Sequence, residues 1–186
     1  WDGLALARRV SVLARAEQDG FGAMMELRNR RATVQAAIQD SDSAAADVKR
    51  DRKMAAEGLA GITAAAKSLR TAEADRLVAD AQAKWERTAS VWEELEAYAA
   101  KPKAERSLKA VDPWYKTYTA VLDDAVEVLR VVDNEARMAD PAIGELVMLR
   151  QLGWQARDFS GRECAIGRVA AQTSTMLTPQ QRETMS

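Results

Sequence analysis

Three features of the 186-residue sequence predict an all-α fold, an elongated up-and-down helical bundle of the four-helix-bundle type with a long first helix. Only 9 glycines and 4 prolines occur, too few for the turns of a β protein, while Ala, Leu, Glu and Arg dominate. Apolar residues recur at steps of three and four over long stretches, the period of an amphipathic helix. Asp112-Pro113, Asp140-Pro141 and Thr178-Pro179 each place a side-chain acceptor before a residue with preset φ, the chemistry of a helix start.

Taken in order, the first helix is expected from about Asp2 to Ile38, roughly 55 Å at 1.5 Å per residue. A rod of that length suits the continuation of a membrane-spanning helix. The polar stretch Gln39-Asp40-Ser41-Asp42-Ser43 closes it. The second helix, about Ala45 to Arg70, carries Val48, Ala55, Leu59, Ile62, Ala66 and Leu69 on a coiled-coil-like seam. The third, about Ala74 to Ala100, places Leu77, Ala81, Trp85, Thr88, Trp92, Leu95 and Ala99 likewise and ends before Lys101-Pro102-Lys103. The fourth, Pro113 to about Arg137, puts Trp114, Tyr118, Val121, Ala125, Leu129 and Val132 on one face, and the tryptophans at helical spacing read as core fillers. The fifth begins at Asp140-Pro141 and is expected to rival the first in length. A stub follows Thr178-Pro179. Long helices with short connections give an antiparallel bundle.

Two helices carry charge where the pattern calls for apolar groups. On the first helix Met24, Leu27, Val34 and Ile38 define a seam that Arg31 shares, with Arg28 and Arg30 beside it. A guanidinium there needs a carboxylate or a bound anion, because an unpaired buried charge costs several kcal/mol. On the fifth helix Leu149, Leu152, Ala156, Phe159, Ile166 and Ala170 step through Glu163, and a neighbouring face carries Arg150, Trp154, Arg157, Gly161, Cys164 and Arg168. Arg31 and Glu163 can pair and leave no site. Alternatively Arg28, Arg31 and Arg157, with Trp154 as a wall and Glu163 nearby, hold a small anion through the forked donors of arginine. Cys164 reads as an inert small core residue.

Composition narrows the function classes. The net charge is −1, with 27 basic and 28 acidic residues, so no global field recruits nucleic acid. The chain has no His and one Cys, and it lacks a glycine-rich phosphate loop, a metal-spaced ligand set and a nucleophile elbow; no enzyme, metal or cofactor is expected. No run of about 18 apolar residues spans a membrane. From Trp1-Asp2-Gly3 to Met185-Ser186 the sequence reads as one domain, 1–186, excised from a longer chain whose C-terminal continuation is expected.

Leu27-Arg28-Asn29-Arg30-Arg31-Ala32-Thr33 resembles the Leu-x-x-Glu-Arg-Gly-x element of the nitrate- and nitrite-sensing (NIT) domain. Ser160-Gly161-Arg162-Glu163-Cys164-Ala165-Ile166-Gly167 is similar to the Gly-x-Glu-Arg-Ala-x-Ile-Gly stretch of related periplasmic helical domains. Arg31 keeps the motif arginine in place; Arg30, Ala32 and Cys164 stand where the family has Glu, Gly and Arg. The resemblance covers residues 20–40 and 146–180 and implies an extracytoplasmic sensor of a bacterial chemoreceptor, histidine kinase or diguanylate cyclase. Flanking membrane helices outside this chain would connect it to a cytoplasmic output module. A small, anionic ligand between helices and a homodimer along the first helix, through Leu6, Val10 and Leu13, complete the expected picture. A ligand-free bundle serving dimerisation or protein docking is the alternative reading, and a cytoplasmic coiled-coil scaffold is a third.

Overall fold

The computed structural model describes residues 2–174 and 176–184, with the side chains of residues 2, 3, 5, 6, 172, 173, 180, 181 and 184 outside that description. The described residues form helices α1 (Asp2–Asp40), α2 (Ala44–Lys67), α3 (Ala72–Glu86), α4 (Ala89–Ala99), α5 (Asp112–Ala139), α6 (Pro141–Thr173) and α7 (Pro179–Thr184). Two 3-10 turns, Lys103–Glu105 and Leu108–Val111, link α4 to α5, and no strand occurs among the described residues. As expected, α1 and α6 are longest, with 39 and 33 residues, and α1 is unbroken at Gly20. No helix of the described residues is long and apolar enough to cross a membrane.

Cross-contacts fix the directions. Arg30 of α1 meets Asp51 of α2, and Gly58 lies over Ala23 and Leu27, so these two helices run antiparallel. A Cβ on Gly58 would sit 3.2 Å from the Ala23 carbonyl oxygen, which shows how closely the two backbones approach. α5 is antiparallel to α1: the Tyr118 hydroxyl donates to the Leu27 carbonyl at 2.6 Å, and Leu129 packs on Gly20. Lys84 of α3 reaches Asp124 of α5, and Arg52 of α2 reaches Glu96 of α4, placing α3 and α4 as the remaining leg. α6 then runs along α1 and α5, parallel to α1, with Val147 against Leu13 and Asp158 against Arg31.

Capping accounts for several ends. The Asp140 carboxylate accepts from the N–H groups of Ala142 at 2.8 Å and Ile143 at 3.2 Å, as its position before proline predicts. Asp112, by contrast, is the first residue of α5 and makes no cap; Val111 precedes it. The expected single third helix is two. The Trp85 carbonyl accepts both the Thr88 N–H at 2.9 Å and the Thr88 hydroxyl at 2.6 Å, an i−3 closure that interrupts the helical ladder. The break turns Trp85 toward Trp92, which meets Trp114 and Tyr118 edge-on at 5.1 and 5.7 Å. Trp114 and Tyr118 stack 5.1 Å apart. These rings occupy the centre of the core, with Trp92, Trp114 and Tyr118 fully buried and Trp85 at the edge.

The face that α6 buries is not its apolar one. Leu149, Leu152 and Phe159 are 57–64% exposed, while Val147, Arg150, Gln151, Trp154, Asp158, Arg162 and Ala165 turn inward. The reason is energetic. α1 and α5 present Glu17, Arg31 and Asp133 to this groove, all buried. Stranding such a charge without its partner costs about 3–5 kcal/mol, against about 1.5–3 kcal/mol for leaving a leucine side chain in water. Leu13, expected at a dimer contact on the first helix, is likewise inside, packed with Ala136 and Val147; Val10 is half-buried, and the Leu6 side chain lies outside the described residues.

Candidate functional site

The run Arg28-Asn29-Arg30-Arg31 fans its arginines in different directions, because successive helical residues are about 100° apart. Arg30 points at α2, where it donates to Asp51 at 2.8 Å, and it also donates to Glu26, one turn earlier on α1, at 2.9 Å. Arg28 and Arg31 point at α6. Arg31, 5% exposed, is closed onto Oδ1 of Asp158, itself 7% exposed. Oδ2 of Asp158 accepts from Arg162 Nε at 2.7 Å, and Arg28 Nε lies 3.5 Å from Oδ1. Arg162 also donates to Asp123 of α5 at 2.7 Å.

The counter-charge of Arg31 is therefore Asp158 and not Glu163. Five residues separate these acids, which places them roughly 140° apart around α6, and only position 158 faces α1. Glu163 has no ion-pair partner among the described residues. Arg157 contributes its carbonyl, which accepts from Arg28 Nη2, while its own side chain is exposed. Gly161 leaves the space that the Arg28 guanidinium fills; a Cβ there would collide with it. Trp154 lies under Arg28, 6.0 Å from ring centre to guanidinium, and edge-on to Phe21. Cys164, expected in the core, is exposed on the rim.

Beside this cluster lies a cavity of about 170 Å³ reached by Arg28, Arg31, Gln35, Tyr115, Cys164 and Arg168. Its polar lining is dominated by donors. Arg31 Nη1 and the Tyr115 hydroxyl are buried without a hydrogen-bond partner, and Arg31 stands 5.8 Å over the Tyr115 ring. Burial pushes the Tyr115 phenol up, so it remains a donor at neutral pH; burial, with Arg31 next in weight, pulls the Arg28 guanidinium down. Around the cavity Arg28, Arg31, Arg162 and Arg168 face Asp158 and Asp123, a cationic excess in a partly desolvated place. Sequence reasoning singled out Arg28 and Arg31 and missed Asp158, Tyr115 and Gln35. Asp158 carried a usable signal: it stands four residues from both Trp154 and Arg162 on the inward face.

A second polar cluster lies toward the start of α1. Arg150 of α6 is closed onto Glu17 and packs 4.2 Å over the Phe21 ring, with one nitrogen 3.9 Å from Asp133. Gln151 donates to Asp133 at 2.7 Å. Burial raises the Asp133 carboxyl above its ordinary value despite the Gln151 bond and nearby Arg137. An acid with a raised folded-state pKa favours folding at low pH, and that contribution is lost as pH rises through the folded value. Asp133→Asn is thus expected to raise the melting temperature at pH 7, and the gain should vanish below the ordinary aspartate value near 3.8. Calorimetric scans across pH 3–8 check it, and an equal change at every pH would contradict it.

Comparison with models of protein families, with curated proteins and with solved structures finds no match.

Proposed function

We propose that this chain is the ligand-sensing domain of a bacterial transmembrane signalling receptor of the chemoreceptor type, placed on the periplasmic side, and that it binds a small anion in the cavity beside Arg31. The observation that carries the reading is the pair of buried donors without a hydrogen-bond partner, Arg31 Nη1 and the Tyr115 hydroxyl, on residues that line a cavity of about 170 Å³ with a cationic excess. An anion there competes with Asp158 for Arg31 and Arg28. Because Asp158 belongs to α6 and both arginines to α1, occupancy alters the restraint between two parallel helices, the kind of shift a receptor transmits.

Titration calorimetry of the chain with nitrate, sulfate and acetate tests the site. At least one anion is expected to bind, and Arg31→Ala is expected to weaken it at least tenfold. Binding that survives unchanged in a folded Arg31→Ala variant would remove Arg31 from the site. A ligand-free structural bundle is favoured by one observation, that Asp158 already engages three arginines; silence of every anion in the titration would select it.

The same reading includes a homodimer, seated on α6 and not on α1. Leu149, Leu152, Ala156 and Phe159 step by three and four along an exposed face, the spacing of paired helices, and Gly153 beside them has open space where a side chain would stand. A second copy presents the same face, so the contact is self-complementary about a two-fold axis. Sedimentation is expected to show a concentration-dependent dimer that Leu152→Glu converts to monomer. Dimerisation untouched by that change would place the interface elsewhere.

A further inference from the structure

We propose that the anion taken beside Arg31 is a monocarboxylate with a short apolar tail, its head among the arginines and its tail in an adjoining cavity. The inference deepens the anion-site reading and rests on it. The adjoining cavity, of about 300 Å³, lies where α6 passes α5 and α1, and Ala165, Ile166 and Val169 supply its apolar wall. It meets the cavity of about 170 Å³ beside Arg31 at Gln35, Tyr115 and Ala165, which line both. On α6, Cys164 and Arg168 line the first cavity and Ile166 and Val169 the second. Only the methyl group of Ala165 parts the two halves on that helix.

Gln35 is the group that points to a ligand. It is 4% exposed, yet its side-chain amide makes no hydrogen bond among the described residues. Unlike Arg31 Nη1 and the Tyr115 hydroxyl, that amide is not sealed from solvent, and the residue borders both cavities. A nearly buried amide without a partner is costly, and a group entering the cavities would meet it. Arg168, half-buried beside it, has no ion-pair partner among the described residues. An amide N–H and a guanidinium fork together suit one carboxylate. An inorganic anion would use these donors and leave the wall of Ile166 and Val169 in water, while an amine would be repelled by the arginines. A second carboxylate at the far end would meet Asp112 beside Lys116, where opposite charges offset each other. A single carboxylate with an apolar tail matches both halves.

Titration calorimetry of the chain with acetate, hexanoate, 1-hexanol and adipate tests the proposal. A wholly buried methylene strengthens binding about fourfold, so four that are half-buried should make hexanoate at least tenfold tighter than acetate. Hexanol and adipate should both bind more weakly than hexanoate. Gln35→Leu should weaken acetate and hexanoate alike, at least fivefold, without lowering the melting temperature, because no partner loses a bond. Ile166→Asn should cut the advantage of hexanoate to under threefold and leave acetate unchanged. The chain-length comparison on the unmodified protein decides even where that variant does not fold. Acetate binding through Arg31 with no gain for hexanoate overturns the tail and leaves the anion site standing. So does nitrate or sulfate binding there while both monocarboxylates stay silent. Adipate as tight as hexanoate, or full affinity in Gln35→Leu, also overturns the proposal, and silence of every anion overturns it together with the reading beneath it.

Discussion

Asp158→Ala is expected to destabilise the protein by about 3–5 kcal/mol, because it leaves Arg31 buried beside Arg28 with no carboxylate between them. The cost arises from desolvation. In water each guanidinium is solvated at no penalty, but in the α1–α6 groove Arg31 retains 5% of its exposure and one of its nitrogens is already without a partner. Urea denaturation measures the loss. The double variant Arg31→Met with Asp158→Leu should recover much of it, since it removes both charges and fills the space with apolar volume. A loss under about 1 kcal/mol for Asp158→Ala would mean that the pair behaves as an exposed one.

Trp92→Ala is expected to cost about 3–5 kcal/mol, the range for truncating a large buried aromatic. Trp92 is fully buried and touches three other rings, so its removal opens a void that the stacked Trp114 and Tyr118 cannot close without giving up their own geometry. Tyr118 is held further by its hydroxyl on the Leu27 carbonyl. For a chain of this size the loss corresponds to a fall in melting temperature of roughly 10 °C. Trp92→Phe should cost clearly less. Equal losses for the two variants would show that the contacts of the indole, and not the volume of the site, decide.

The two helices that frame the site were legible to different degrees. The seam of α1 could be read because Met24, Leu27, Val34 and Ile38 lie on one stripe and are all buried, which carried Arg31 inside with them. On α6 the apolar stripe is the louder signal and the wrong one for locating the core. Periodicity assigns a face by hydrophobicity alone, whereas here the charges already buried on α1 and α5 decide which side of α6 turns in. Asp158 follows from that choice, and its four-residue spacing from Trp154 and Arg162 is the local sign of it. The break between α3 and α4 was hidden for another reason. Thr88 fits the seam either as a helical residue or as the hydroxyl that closes on Trp85, and only the surrounding rings select the second.

The uneven attachment of α6 bears on where the molecule opens first. α1 and α2 meet through Gly58, Gly61 and Ala23 at near-contact of their backbones, with apolar side chains buried along the seam and the Arg30–Asp51 pair among them. α6 is held by ion pairs and Trp154 while its leucines face outward. Segments with few buried apolar contacts detach as cooperative units below the global unfolding free energy. Amide hydrogen exchange should accordingly separate into two classes, with the protons of α6 lost together and well ahead of those in α1, α2 and α5. An anion bound at Arg31 that displaces Asp158 should speed α6 exchange without touching the slow class.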